Sequence, residues 1–215
     1  ELVRVGKLAG KKTVGVITDM DEPLGNAIGN ALEVKEAIEV LKGEKEGELL
    51  ELCLTLGSCI LTQAGIAETE EEARKMLQKG IDDGSALKKL AELVEGQDGD
   101  PKAVYDTELL PKAPVQLEVK SEKAGFVKHI SAKDVGLVSM HLGGGRVTKE
   151  SVIDLSVGVI LNKKVADRVE LDESLGVIHA QTTEKAQEAA QLLRNCYTIV
   201  DEPVEKSKFI KGIVK

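Results

Sequence analysis

The stretch from Lys11 to Gly43 constrains the fold most, because it joins a short apolar run, a sharp loop and a long helical pattern. Residues 13–17 are rich in valine, isoleucine and threonine, which is typical of a strand covered on both faces. Pro23 and Gly25 mark the loop, and Asn26 is the predicted N-cap of the helix that follows. This order predicts an α/β fold, in which ligands collect just beyond the carboxyl ends of strands.

The helical part of this stretch is apolar around most of its circumference, so we expect it to be largely buried. Its apolar side chains are those of Ile28, Ala31, Leu32, Val34, Ala37, Ile38 and Leu41. Glu33 and Glu36 share a polar strip, and the pattern alone favours a solvated strip or partners in ion pairs. The alternative is that one of these carboxylates is buried, in which case it needs a partner.

The same stretch resembles a known family. The run VITDMDEPLGNAIGNALEVKEAIEVLKGE, residues 16–44, closely resembles pyrimidine-nucleoside and thymidine phosphorylases just after the middle of their chains. In bacterial members, two backbone carbonyls of the loop and one helix glutamate help to hold a potassium ion. The resemblance places these ligands at Leu24, Ala27 and Glu36, and backbone carbonyls can replace the water shell of potassium. The other ligands come from an earlier part of such chains, so the implied site is incomplete here.

Beyond this stretch, the pattern changes from helices to strands. Helices are predicted from Glu46 to Gly65 and again from Ser85, and Thr69 with Glu72 forms a capping pattern for a helix between them. A loop with two prolines, from Leu109 to Pro114, marks the predicted boundary. The elements predicted after it are the strands VQLEV, GFVKHI, VGVIL, LGVIHA and YTIV, and helices from Ala132 to Leu142 and from Thr183 to Leu193.

Two further runs extend the resemblance over the second half of the chain. SAKDVGLVSMHLGGGRVTKESVIDLSVGVIL is similar to the carboxy-terminal signature of the phosphorylases, and LNKKVADRVELDESLGVIHA resembles half of a barrel-sandwich unit of the biotinyl or lipoyl kind. The predicted fold class is therefore α/β. Residues 1–112 would form the later half of the phosphorylase α/β domain, and residues 113–215 a carboxy-terminal α+β module of barrel-sandwich type.

The loop formed by Gly143, Gly144, Gly145 and Arg146 is a second candidate site, because glycine backbones can form an anion-binding nest. A dinucleotide fingerprint is excluded, since Thr148 stands where that motif needs glycine and a helical pattern precedes the glycines. The resemblance implies a loop beside the substrate cleft. A flexible turn without a catalytic function is the open alternative. No catalytic residue is predicted.

The remaining reactive side chains predict no further site. His129, His141 and His179 do not have the spacing of zinc ligands. His129 and His179 are predicted to be structural strand residues, and the role of His141, just before the glycine loop, is left open. The three cysteines form no CxxC pair and are predicted to be small core residues in a reduced setting. Lys163 and Lys164 lack the neighbours of a biotinyl or lipoyl attachment site, so a carrier function is not favoured.

Composition excludes several classes of function. The net charge is −8 and aromatic residues make up only 2%, so the chain offers neither a basic stripe nor a stacking platform for nucleic acid. No apolar run is long enough to span a membrane, and we expect a cytoplasmic protein. An acidic surface does not repel a neutral nucleoside, but a phosphate ion requires a local positive site.

The resemblance implies reversible phosphorolysis of a pyrimidine nucleoside to free base and (deoxy)ribose 1-phosphate, in a homodimer that uses potassium and no organic cofactor. The phosphate- and base-binding motifs of the family have no counterpart here, and the opening ELVRVGKLAG resembles the end of a helix. We therefore expect a fragment or an incomplete version of a longer chain, inactive alone, with the preference between uridine and thymidine undetermined. The alternatives are a related phosphoribosyltransferase, whose family lacks the carboxy-terminal module, and a non-catalytic binding or carrier module.

Overall fold

The computed structural model describes all residues, Glu1–Lys215, and shows a protein of mixed helices and sheets, as predicted in outline. The chain forms two compact units. The first contains Glu1–Asp19, Glu39–Val104 and Ser207–Lys215, and the second contains Met20–Ile38 and Tyr105–Lys206. No helix combines the length and hydropathy that crossing a membrane requires. The division at residue 112 and the barrel-sandwich geometry stay predictions.

The secondary structure consists of eight α-helices and nine strands. The helices are Leu2–Leu8 (α1), Asn30–Leu41 (α2), Glu48–Gln63 (α3), Glu70–Asp82 (α4), Ser85–Glu95 (α5), Lys102–Tyr105 (α6), Ala132–Ser139 (α7) and Thr183–Asn195 (α8). The strands are Gly15–Thr18 (β1), Ala27–Gly29 (β2), Val115–Lys120 (β3), Gly125–Ile130 (β4), Gly158–Leu161 (β5), Arg168–Val169 (β6), Ser174–Ala180 (β7), Tyr197–Val200 (β8) and Ile210–Val214 (β9). A short 3₁₀ helix, Thr107–Leu109, and a π-helical turn, Met140–Gly144, complete the set.

In the first unit, β1 pairs antiparallel with β9 in a two-stranded sheet. Gly15 lies opposite Val214, and Thr18 lies opposite Ile210. The prediction of a strand covered on both faces is wrong, since Ile17 is 53% exposed. A two-stranded ribbon has too little sheet on either side to cover both faces of an apolar strand.

The helices of the first unit confirm the capping and periodicity signals. Thr69 caps α4 by accepting a hydrogen bond from the N–H of Glu72 at 3.1 Å. The Glu72 carboxylate accepts from the N–H of Glu68 at 2.9 Å, one residue earlier than the predicted capping box requires. Along α3, Cys59 is buried as predicted, but Cys53 is exposed, so the prediction of three core cysteines is wrong. Six residues on a helix are about 600°, which turns the two side chains to different faces.

The second unit contains two antiparallel sheets that enclose its core together with α7 and α8. One sheet has the order β2-β5-β7-β3, and the other has the order β6-β4-β8. The registers place Val159 and Leu117 on either side of Ile178 in the four-stranded sheet. The fully buried core side chains of this unit include those of Val119, Val127, Ile130, Val135, Leu142, Val157, Val159, Leu161, Leu175, Ile178 and Leu193.

The start of α2 differs from the sequence prediction. The helix begins at Asn30 and not after Asn26, because Ala27–Gly29 forms β2 and pairs with β5. Gly29 lies opposite Gly158, and both residues have positive φ, of 144° and 156°. A β-carbon on Gly158 would lie 2.3 Å from the carbonyl oxygen of Ile28. Two facing glycines therefore let the backbones approach where β2 turns into the helix.

Candidate functional site

Glu36 lies at the centre of the loop Glu22–Ala27, which we name the Pro23 loop. The side chain is on the inner face of α2, and the residue is only 4% exposed. One carboxylate oxygen accepts a hydrogen bond from the N–H of Asn26 at 2.9 Å, and the other accepts from the N–H of Ala27 at 3.0 Å. The prediction of a solvated strip is therefore wrong for Glu36, because the adjacent loop supplies the donors that a buried carboxylate needs.

Gly25 makes this close contact possible. Its φ of 72° is a left-handed conformation, and a β-carbon there would lie 2.5 Å from the Glu36 carboxylate. The Pro23 loop thus folds closely over the carboxylate, and a β-carbon at residue 25 would force the end of the Glu36 side chain to move.

Ala27 is brought to the same carboxylate, and the ladder sets the direction of its peptide groups. The carbonyl of Asn26 accepts a hydrogen bond from the N–H of Leu161 in β5 at 2.7 Å. In the alternation of an antiparallel pair, the next residue, Ala27, directs its N–H and C=O away from β5. Leu24, on the same loop, is 40% exposed.

The atoms at the Pro23 loop that could bind a metal ion are oxygens, namely those of backbone carbonyls and of one buried carboxylate. Such a set matches a hard monovalent cation and lacks the imidazole or thiolate ligands that zinc or copper prefers. The structure has no cluster of three or more His, Cys, Asp or Glu side chains placed to hold a metal ion. Leu24, Ala27 and Glu36 as potassium ligands stay a prediction.

Sequence reasoning missed Lys164 as a residue of this site. Its ammonium group donates hydrogen bonds to the carbonyls of Pro23 and, at 3.0 Å, of Gly25, and it lies 3.6 Å from the Glu22 carboxylate. Lys163 instead binds the Glu173 carboxylate at 2.5 Å. No local pattern could have separated these neighbours, since their partners are distant in sequence.

The glycine loop lies against the start of α2, within the same unit. The side-chain amide of Asn30 donates to the carbonyl of Gly144 at 2.9 Å, and the N–H of Asp154 donates to the carbonyl of Gly143 at the same distance. Gly143 has a φ of 108°, which ends the π-helical turn. Arg146 follows at the surface with an exposed side chain. The structure therefore places the glycine loop against Asn30, three residues after Ala27, while anion binding by the loop stays a prediction.

His179 lines a separate cavity of about 190 Å³ in the second unit, with Lys35 and Ser156 among its other walls. Burial, and to a lesser degree the charge of Lys35, holds the pKa of His179 below its usual range. The imidazole is therefore kept neutral in the folded chain, which suits a structural histidine in β7.

The lowered pKa of His179 predicts that acid weakens the fold. Below the unfolded pKa near 6.5, the unfolded chain takes up a proton that folded His179 resists. His179 therefore makes its full contribution to the free energy of unfolding above about pH 6.5. That contribution falls as the pH drops toward the lowered pKa of the folded chain. Urea unfolding at pH 7.5 and 5.5 should show a smaller loss for His179→Gln than for the original chain. His129→Gln replaces an exposed strand histidine, and it should lose as much free energy of unfolding between these pH values as the original chain does. Equal losses for both variants would contradict the prediction.

Comparison with known proteins independently supports the resemblance to nucleoside phosphorylases. A family profile described as "Glycosyl transferase family, a/b domain" matches residues 1–87, and one described as "Pyrimidine nucleoside phosphorylase C-terminal domain" matches residues 126–200. Proteins named pyrimidine-nucleoside phosphorylase from Staphylococcus aureus strains bovine RF122 / ET3-1, MSSA476 and MW2 are each 44% identical to the chain over 214 residues. These matches cover 100% of this chain and 49% of each relative.

The chain therefore spans about half the length of the curated relatives that it matches. The two profiles match its two ends, and the identity extends over its whole length. Both findings agree with the run around the Pro23 loop and with the carboxy-terminal signature. The chain is therefore similar to pyrimidine-nucleoside phosphorylases along its whole length.

Proposed function

We propose that the chain is the part of a pyrimidine-nucleoside phosphorylase that contains the Pro23 loop, the glycine loop and the carboxy-terminal module of barrel-sandwich type. The whole-chain identity of 44% to relatives with that name is the observation that carries the proposal. The reaction would be the reversible attack of phosphate on a pyrimidine nucleoside, giving free base and (deoxy)ribose 1-phosphate. A homodimeric, cytoplasmic full-length enzyme belongs to the same proposal.

In this reaction, phosphate would attack C1′ from the face opposite the departing base, through a transition state with oxocarbenium character. Catalysis would then depend on holding two substrates in line and on stabilising the charge of the leaving base. The proposed contribution of this chain is to hold the backbone of the Pro23 loop and of the glycine loop in place. Glu36 holds the amides of the Pro23 loop, and Asn30 holds the glycine loop that carries Arg146.

The proposed cofactor is a potassium ion, held by the carbonyls of Leu24 and Ala27 and by the Glu36 carboxylate. When bound, potassium would supply a positive charge that draws these oxygens together. The buried, loop-facing position of Glu36 supports this assignment, because a carboxylate already directed at backbone needs little rearrangement to share a cation with it.

The activity is tested in a fusion protein that has the full length of the relatives. The half of the S. aureus relative that this chain leaves uncovered is fused to it, and phosphate-dependent release of uracil or thymine is measured. The proposal predicts release by the fusion protein and none by the chain alone, since the family's phosphate- and base-binding motifs are absent from it. Release that requires 5-phosphoribosyl diphosphate, or a folded fusion without any release, would contradict it.

A carrier module is the weaker candidate. Lys163 and Lys164 are only 17% and 14% exposed in their side chains and are held in ion pairs, whereas an attachment lysine must project freely from a turn. An intact mass without any increment on either lysine is the expected result.

Potassium is expected to raise the thermal unfolding midpoint of the chain by about 3 °C when it is present at about ten times its dissociation constant. The measurement replaces LiCl with KCl at constant ionic strength. Glu36→Gln should lose most of this potassium-dependent increment, because it removes the only charged ligand proposed. An equal response to the two salts in the original chain would contradict the potassium assignment.

A further inference from the structure

Lys164 contacts the Pro23 loop from the side of the β5–β6 connection. Its ammonium donates to the carbonyls of Pro23 and Gly25, which flank Leu24 in the chain. The Glu22 carboxylate lies 3.6 Å away and also accepts from the N–H of Val165 at 2.9 Å. The side chains of Lys164 and Glu22 are 14% and 12% exposed, so the group is largely removed from water.

A lysine that is this buried is costly unless its donors are satisfied. An ammonium has three N–H donors, and the two carbonyls and the carboxylate are suitably placed to accept them. The Glu22 carboxylate also lies 3.4 Å from the ammonium of Lys206, so it is shared between two lysines and offsets the charge of Lys164 only in part. Lys164 therefore acts on the loop through its hydrogen bonds to backbone carbonyls.

The Pro23 loop is held from two directions. Lys164 fixes the carbonyls of residues 23 and 25, and Glu36 fixes the amides of residues 26 and 27. Of the candidate cation ligands, Leu24 lies between the two carbonyls that Lys164 binds, and Ala27 is fixed through its own amide. The carbonyls that Lys164 binds are thus different from the two that the potassium proposal uses.

We propose that Lys164 is a positioning residue, whose ammonium fixes the Pro23 loop in the conformation that presents Leu24 and Ala27 to a monovalent cation. The part that concerns the cation rests on the proposed function. The part that concerns the loop conformation rests only on the contacts of Lys164.

The test compares Lys164→Met with Lys163→Met in the 215-residue chain. Both variants lose one lysine charge from the same turn, but the ammonium of Lys163 binds Glu173 and the carbonyl of Arg168 and not the Pro23 loop. Hydrogen exchange of the Asn26 and Ala27 amides should be about tenfold or more faster in Lys164→Met, which corresponds to roughly 1.4 kcal/mol. The same amides should keep their original rates in Lys163→Met.

The second readout is the potassium concentration that gives half of the thermal shift. It should rise about tenfold in Lys164→Met and stay unchanged in Lys163→Met. Unchanged exchange at Asn26 and Ala27 in Lys164→Met would overturn the proposal. If exchange becomes faster but the original chain shows no response to potassium, the loop assignment stands and the potassium function is wrong.

Chemical rescue keeps the test decisive if Lys164→Met folds poorly. Lys164→Ala removes three carbons and the ammonium, which propylammonium chloride can replace. Recovery of slow exchange at Asn26 and Ala27 in propylammonium, but not in an equal concentration of sodium chloride, supports the proposal. A Lys164→Ala chain whose β7 amides stay protected and whose loop amides do not respond to propylammonium overturns it.

Discussion

Glu36→Gln is expected to lower the free energy of unfolding by about 2 kcal/mol, as measured by urea unfolding followed by circular dichroism. Glutamine keeps the length and shape of the side chain, but one carboxylate oxygen becomes an NH₂ donor. The N–H of Asn26 lies 2.9 and 3.2 Å from the two oxygens of Glu36, and the N–H of Ala27 lies 3.0 Å from one of them, so in glutamine a single oxygen would have to accept from both amides. The loss of the charge weakens the hydrogen bonds that remain.

Glu33→Gln is the matched control, because it makes the same chemical change three residues earlier on the same helix. Glu33 is an exposed residue, and its carboxylate accepts from the N–H of Gly29 at 2.9 Å. The remaining oxygen of glutamine can still accept from this single N–H, so the cost should stay within about 0.5 kcal/mol. Equal losses for the two variants would mean that burial of the Glu36 contacts does not contribute to stability as we infer.

Much of the fold could be predicted where the signals are local. The cap at Thr69, the start of α5 at Ser85 and the strands from Val115 onward all depend on residues within a few positions of each other. Such patterns survive in the structure because capping groups and alternating apolar residues bind or bury side chains at fixed short spacing.

The errors concern features that depend on distant parts of the chain. Residues 27–29 carry a helical apolar pattern, yet they form β2 because β5, some 130 residues later, offers a facing glycine and a free edge. In the same way, the polar strip of Glu33 and Glu36 divides into an exposed and a buried carboxylate only because the Pro23 loop folds over one of them. Tertiary pairing decides both cases, and no window of sequence contains it.

In the candidate site, too, some residues could be identified from the sequence and others only from the structure. The resemblance identified Leu24, Ala27 and Glu36, and the structure places Glu36 in contact with the amide of Ala27. Lys164 could not be found this way, because its binding to the Pro23 loop spans about 140 residues of sequence. A buried ammonium at backbone carbonyls has no sequence pattern of its own, and its recognition requires coordinates.

Gly158→Ala is expected to destabilise the chain by about 3 kcal/mol, the largest effect that we predict for a single methyl group. The added β-carbon would lie 2.3 Å from the carbonyl oxygen of Ile28 and 3.1 Å from the α-carbon of Gly29. Both contacts are with backbone, which cannot rotate away as a side chain can. The φ of 156° adds a strain that alanine rarely accepts. Urea unfolding should therefore show a lower midpoint, and the amides of Asn26 and Ala27 should exchange faster as β2 separates from β5.

Gly136→Ala provides the control, since it adds the same methyl group to α7 in the same unit. A β-carbon there meets no heavy atom within 4 Å, and the residue has helical backbone geometry. Alanine is the better helix former, so this variant should be unchanged or more stable by up to about 1 kcal/mol. The contrast between the two variants separates the cost of a methyl group from the cost of parting β2 and β5. Because β2 leads directly from the Pro23 loop into α2, a large loss confined to Gly158→Ala would show that the loop geometry around Glu36 depends on this pair of facing glycines.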